Sequence, residues 1–136
     1  MTSDTASVLF VNEAFYQAFR ERDLRAMDEL WARESPVACI HPGWAAIVDR
    51  DDIMRSWQGI FESPQAPEIH CRRAHAYPLN GAGLVICYEE MANGLLVATN
   101  LFRRETGGLR IMHHQAGPSS APLEDIEQET DDTTVQ

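Results

Sequence analysis

Near the start of the chain, apolar side chains return at helical spacing: Val8, Val11, Phe15 and Phe19, with Leu9 or Phe10 and Ala18 beside them. One wide apolar face over residues 6–21 predicts an amphipathic helix packed on a core. Asp23 can cap a second helix, in which Leu24, Met27, Leu30 and Trp31 recur at steps of three and four, and Pro36 is expected to stop it. Residues 37–40 read as a short strand. A third helix starts after Asp49, whose carboxylate can take free amides while Asp51 and Asp52 favour the positive end of the helix dipole. Its buried stripe is Ile53, Trp57, Ile60 and Phe61. After Pro67 the period changes to two, first through Ile69, Cys71, Arg73, His75 and Tyr77 and then over 84–91. Asn80-Gly81 and Asn93-Gly94 mark hairpin turns. A strand over 95–104, the turn Glu105-Thr106-Gly107-Gly108 and a last strand over 109–116 complete an antiparallel meander. Helices first and a meander after predict an α+β domain, with helices on one face of a curved sheet.

The 136 residues carry 21 acids and 11 bases, a formal charge of −10. Glu124, Asp125, Glu127, Glu129, Asp131 and Asp132 all follow Pro122, which leaves 15 acids against 11 bases before it. The acidity is therefore mostly a tail, and residues 119–136, poor in large apolar side chains, are expected to be disordered. One domain over 1–118 remains. An acidic chain repels phosphates, which argues against nucleic acid as a partner. All the bases are arginine. Cys39, Cys71 and Cys87 lie in strands among apolar neighbours without CxxC spacing and read as reduced core cysteines. No stretch approaches the roughly 20 apolar residues of a membrane helix, and the first apolar run, 8–11, is too short for a leader, so the expected location is the cytoplasm and no membrane is expected as partner.

The corner VACIHPGWAAIVDRDDIMRSW, residues 37–57, puts an imidazole and an indole where a strand ends. With RDLRAMDELW before it and ATNLFRRETGGLRIMHHQAGP after it, the order and spacing over about residues 5–118 resemble the nuclear transport factor 2-like superfamily, in particular its SnoaL-like and ketosteroid-isomerase-like members. The resemblance implies a cone of curved sheet plugged by helices, the cystatin-like fold, usually homodimeric through the sheet. It includes isomerases, dehydratases, cyclases and epoxide hydrolases beside non-catalytic members, so fold does not assign chemistry.

In the isomerase-like members this strand end carries an Asp-Pro pair whose Asp abstracts a proton. Here the pair is His41-Pro42, and an imidazole can serve as that base; the alternative is a His satisfied by backbone at a turn. Those members also place an oxyanion-donating Tyr on the first helix. The ungapped register from Asp23 puts Phe15 at that position, with Tyr16 next to it as either acid or rim aromatic with a wet hydroxyl. Glu89 and Glu90 straddle the pleat, so only one can point inward. His113 and His114 point to opposite faces, and apolar company favours His114 toward the helices, with Met112 and Ala116; His70 and His75 likewise divide between faces. Either Asn100 or Thr99 turns into the cone. Trp44 is a wall of the pocket mouth or a cap over the core, while Trp31 and Trp57 sit on helix stripes. Arg73, Arg103, Arg104 and Arg110 read as a solvated or dimer-facing surface.

The expected site is therefore His41 and Tyr16 as catalytic groups, with Phe15, Trp44, Trp57, Asn100 and His114 lining a pocket for a small apolar organic ligand. The chemistry is proton transfer of isomerase, cyclase or dehydratase type; the alternative is a non-catalytic dimeric binding or structural module. Neither a glycine-rich phosphate loop nor metal-ligand spacing is present, so no cofactor or metal is implied.

Overall fold

The switch of period at Pro67 divides three helices from four long strands. The structure, a computed structural model, describes residues 4–126. Two helices open it, α1 (Asp4–Glu21) and α2 (Leu24–Leu30), followed by β1 (Ala38–Ile40) and α3 (Arg50–Glu62). The strands β2 (His70–Leu79), β3 (Ala82–Met91), β4 (Gly94–Glu105) and β5 (Gly108–Pro118) come next, and a single 3-10 turn, Leu123–Asp125, closes the described chain. Both expected caps form: the Asp23 carboxylate accepts from the Ala26 amide and that of Asp49 from the Asp52 amide. Among the described residues no helix is long and apolar enough to cross a membrane.

The sheet order is β1-β5-β4-β3-β2. β2 to β5 form the antiparallel meander, whereas β1 joins the far edge in parallel with β5, setting Cys39 opposite His114. That pairing carries the His41 corner to the strand that bears His114. α1 lies across the inner face so closely that Gly83 meets the Val8 methyls where any Cβ would sit. Phe15, Met27, Trp31, Ile53, Trp57, Phe102 and Ile111 fill the space between helices and sheet.

Several expectations shift. α2 ends at Leu30, well before Pro36, because Trp31 turns extended (φ −80°, ψ 141°) to bridge Ile111 while its indole is buried. Arg50 of α3 takes the Asp28 carbonyl of α2 and the carbonyls just past its end, its guanidinium donating to Trp31 O at 3.2 Å and Ala32 O at 3.0 Å and to the Asp28 carboxylate at 2.9 Å. A remote cation thus ends the helix that the proline was expected to end. The second hairpin turns at Ala92-Asn93, with Gly94 already paired to Met91.

Two β-bulges matter more, since each reverses the alternation of faces beyond it. One lies between Arg72 and His75, with Arg73 at φ 55°. Opposite His70 stands Glu90 and opposite His75 stands Ile86, both on the outer face, so the two histidines share that face rather than dividing between faces. The other falls where Leu101 pairs with His113 but Phe102 pairs with Ile111. Ile111, rather than Met112, therefore stands with His114 on the inner face.

Past the expected boundary at 118, the Ser119 amide donates to Leu95 O and Arg73 Nε donates to Ile126 O. The rest of the expected acidic tail, 127–136, lies outside the described residues.

Candidate functional site

The inner face of the sheet presents one polar side chain from each of three neighbouring strands: Glu89 from β3, Asn100 from β4 and His114 from β5. Asn100 and His114 are direct cross-strand partners. α1 lowers Asn12 and Tyr16 onto them. All five are buried in a core that is otherwise apolar, where each polar atom must find a partner.

They find one another in a directed chain. His114 Nδ1 donates to Asn100 Oδ1 at 2.6 Å. The Asn100 amide nitrogen donates to Asn12 Oδ1 at 2.9 Å and to the Tyr16 hydroxyl at 3.1 Å. Tyr16 in turn donates to Glu89 Oε2 at 2.6 Å. Because the Asn100 nitrogen is spent on two acceptors, its oxygen must accept from His114, which fixes the Nδ1–H tautomer and leaves the lone pair on Nε2. That nitrogen is 3.9 Å from Glu89 Oε2, so the ends of the chain almost meet.

His41 stands on the other wall. Ser56 Oγ gives its proton to Ile53 O at 2.7 Å and so accepts from His41 Nε2 at 2.9 Å, leaving the lone pair on Nδ1. The His41 ring packs edge-on with Trp44 and with Trp57, centroids 4.8 Å away in each case, and lies 6.4 Å from that of His114. A cavity of about 270 Å³ opens here, lined by Phe19, His41, Pro42, Trp44, Ile60, Pro67, Ile69, Glu89, Met91, Leu96 and His114.

Burial sets the protonation states. It pushes His41 down to about 4, and His114, further opposed by His41 and His113, down to about 3. It raises Glu89 to about 7 even though the Tyr16 hydrogen bond favours the carboxylate. Tyr16 goes well up, from burial first and then from Cys87 and Glu89. Near neutral pH the group in this site that gains and loses a proton is therefore the carboxyl, and both imidazoles are neutral. Cys39, 3.6 Å from His41 Nε2, is raised by burial to about 12 and is no nucleophile. Among the described residues no group of three or more His, Cys, Asp or Glu is placed to hold a metal.

Of the residues expected to line the pocket, Trp44 and His114 do, together with His41. Phe15, Tyr16, Trp57 and Asn100 stand behind the wall, each fully buried. Tyr16 is no rim aromatic with a wet hydroxyl: the face of α1 covered by the curved sheet is wide enough to take Phe15 and Tyr16 together, about 100° apart. Phe15 and Trp57 stack edge to face at 5.7 Å and close on each other rather than on the cavity. Asn100, not Thr99, is the inward member of its pair. Glu89, Phe19, Asn12 and Ser56 were missed as site residues. The alternation of buried Val85 and Cys87 could have placed Glu89 inward, but nothing in the sequence marks Asn12 or Ser56.

A five-stranded sheet covered by helices on one face is the cystatin-like fold, and the family model and solved structures that match the chain place it in the nuclear transport factor 2-like superfamily. Within it the chain belongs to the SnoaL-like domain family, whose model matches residues 8–123. A candidate dehydratase of the NTF2-like family from Streptomyces avermitilis superposes with a TM-score of 0.78 at 29% identity, covering 87% of this chain and 97% of that one. A candidate calcium/calmodulin-dependent protein kinase type II association domain from Thiobacillus denitrificans gives 0.73 at 31% identity over 81% of this chain and 93% of its own. The F-box protein SKIP8 of Arabidopsis thaliana is 28% identical over 114 residues, 82% of this chain. The chain spans about half the length of that curated relative, 49%.

Proposed function

We propose that this protein binds a small, largely apolar organic molecule in the cavity beside His41, Glu89 and His114, and moves a proton to or from it. The observation that supports the reading most is Glu89, a buried carboxyl at the end of a directed hydrogen-bond chain whose proton affinity matches neutral pH. An acid/base works best when its pKa lies near the operating pH. His41, at about 4, is a weak base for that task, so Glu89 takes the proton-carrying role and His41 offers Nδ1 as a neutral acceptor. About 270 Å³ is just under the roughly 300–1,000 Å³ of pockets for drug-sized ligands, which favours a compact molecule. The likeness to a candidate dehydratase fits proton-transfer chemistry.

The second reading, binding without turnover, is favoured by one feature. The Tyr16 hydroxyl, the expected oxyanion donor, is spent on Glu89 and does not line the cavity.

Filling the cavity tests the common part of both readings. Met91 lines it and is half-buried at a hairpin end, so Met91→Trp is expected to block binding while the melting temperature stays within a few degrees. Ligand-detected NMR of a library of small organic molecules, run against wild type and variant, reads this out. Hits that bind both proteins equally would place binding elsewhere and overturn the pocket reading.

Homodimerisation through the sheet belongs to the same proposal. Its outer face carries half-buried Leu84, Ile86, Tyr88, Val97, Thr99 and Leu101, paired across β3 and β4. A contiguous apolar face of this kind marks an interaction surface. Val97→Arg is expected to give a monomer by sedimentation velocity where wild type sediments as a dimer; a wild-type monomer would remove the dimer from the proposal.

A further inference from the structure

Glu89 is a buried carboxyl without a cationic partner. From α1 it faces Tyr16, from β2 Cys71, from β3 its neighbour Cys87, from the end of β1 Cys39 and His41, and from β5 His114. Among the described residues, none of those brings a positive charge at neutral pH, and no Arg lines the cavity. A carboxylate in such a place is costly until a cation joins it.

The geometry around it is also one-sided. The hydrogen-bond chain runs from His114 toward Glu89 and ends in two acceptors, His114 Nε2 and Glu89 Oε2, 3.9 Å apart. The His41 ring, whose lone pair is on Nδ1, lines the same cavity. A nitrogen about 2.8 Å from both ends of the gap sees them roughly 90° apart, within reach of two N–H bonds on one atom. The floor of the site thus offers acceptors and, apart from the Glu89 proton, lacks side-chain donors. On that floor an anion finds no partner, and a carbonyl oxygen finds one only while Glu89 keeps its own proton.

We propose that the ligand is a small organic ammonium ion whose N–H groups bridge Glu89 and His114 while its hydrocarbon body lies against Phe19, Trp44, Ile69 and Leu96. This rests on the pocket reading above and names the class of molecule the pocket takes. The aromatic rings at the mouth add cation–π attraction to the ion pair. The cavity holds on the order of ten non-hydrogen atoms at liquid packing, which suits a primary amine on one ring or a short branched chain. Binding the cation draws Glu89 into its carboxylate form and releases its proton.

Calorimetric titration of the full chain with cyclohexylammonium, cyclohexanol and cyclohexanecarboxylate, repeated from about pH 5.5 to 8.5, tests the proposal. Over that range the amine stays protonated and both cavity imidazoles stay neutral, so of the groups lining the cavity only Glu89 changes charge. Cyclohexylammonium is expected to bind at least about tenfold tighter than cyclohexanol at the alkaline end, and to weaken by up to about tenfold per unit as pH falls below 7. Glu89→Gln is expected to remove both the preference and the pH dependence while cyclohexanol still binds. The pH series on wild type needs no variant and stands if Glu89→Gln fails to fold. Cyclohexanol binding as well as the amine, or amine affinity that falls with rising pH, overturns the ammonium assignment and leaves the pocket. Failure of all three probes to bind overturns the pocket reading with it.

Discussion

Asn100→Ala is expected to be among the most damaging single substitutions in the chain, at about 3–5 kcal/mol of stability. Asn100 is fully buried, and its side chain serves Asn12, Tyr16 and His114 at once. Truncation leaves the Asn12 oxygen and the His114 Nδ1–H without partners, each costing about 1–3 kcal/mol, and opens a small void besides. Thr99→Ala, one residue away on the outer face, is expected to cost under about 1 kcal/mol. Urea midpoints of the two variants make the comparison. Equal losses would mean that the polar floor is not a connected network. Asn100→Ala should also loosen Tyr16 and Glu89, so ligand binding falls with stability.

Acidification below pH 6.5 is expected to destabilise the protein by at least about 1.4 kcal/mol per pH unit, with little change just above, where the opposing titrations nearly cancel. His41 and His114 ordinarily titrate at 6.5 but are held at about 4 and 3, so at these two sites the unfolded chain binds two more protons than the native one as pH falls below 6.5, and His113, also held down by burial, acts in the same direction. Their contribution is complete above 6.5 and is lost in acid. Glu89 has the opposite sign: raised from 4.5 to about 7, it binds a proton in the native state that the unfolded chain has released, so its contribution is complete below 4.5 and lost as pH rises through 7. Between 4.5 and 6.5 at least two protons oppose one, and the net of at least one proton gives the slope. Glu89→Gln removes the opposing member. Its slope in that window is expected to steepen by about 1.4 kcal/mol per unit. Urea denaturation at half-unit intervals of pH reads both. A wild-type curve that is flat from 4.5 to 6.5 would show that the imidazoles are not held neutral as described.

The elements themselves were legible because the signals for them are local. Asp23 and Asp49 cap their helices through amides three residues away, and the alternation after Pro67 reflects a sheet with one face on the core. Where a remote group intervened, local reading went astray. The end of α2 is set by Arg50, some twenty residues downstream, and the faces of His75 and Met112 by bulges that leave no mark in an alternating pattern. The parallel pairing of β1 with β5 joins segments more than seventy residues apart, and three residues carry too little pattern to specify it.

The same division runs through the site. By itself the sequence determined a curved sheet covered by helices and a histidine at a strand end, and it offered His114 and Asn100 as inward candidates. Only the tertiary structure decided that Tyr16 is interior, that Glu89 rather than Glu90 completes the floor, and that Phe15 and Trp57 back the cavity instead of lining it. The physical reason is range. Helix and strand periods are written by neighbours a few residues apart, whereas a buried carboxyl's proton affinity, a histidine's tautomer and the volume left between side chains depend on contacts among α1, α3 and three separate strands, and exist only once those surfaces have closed on one another.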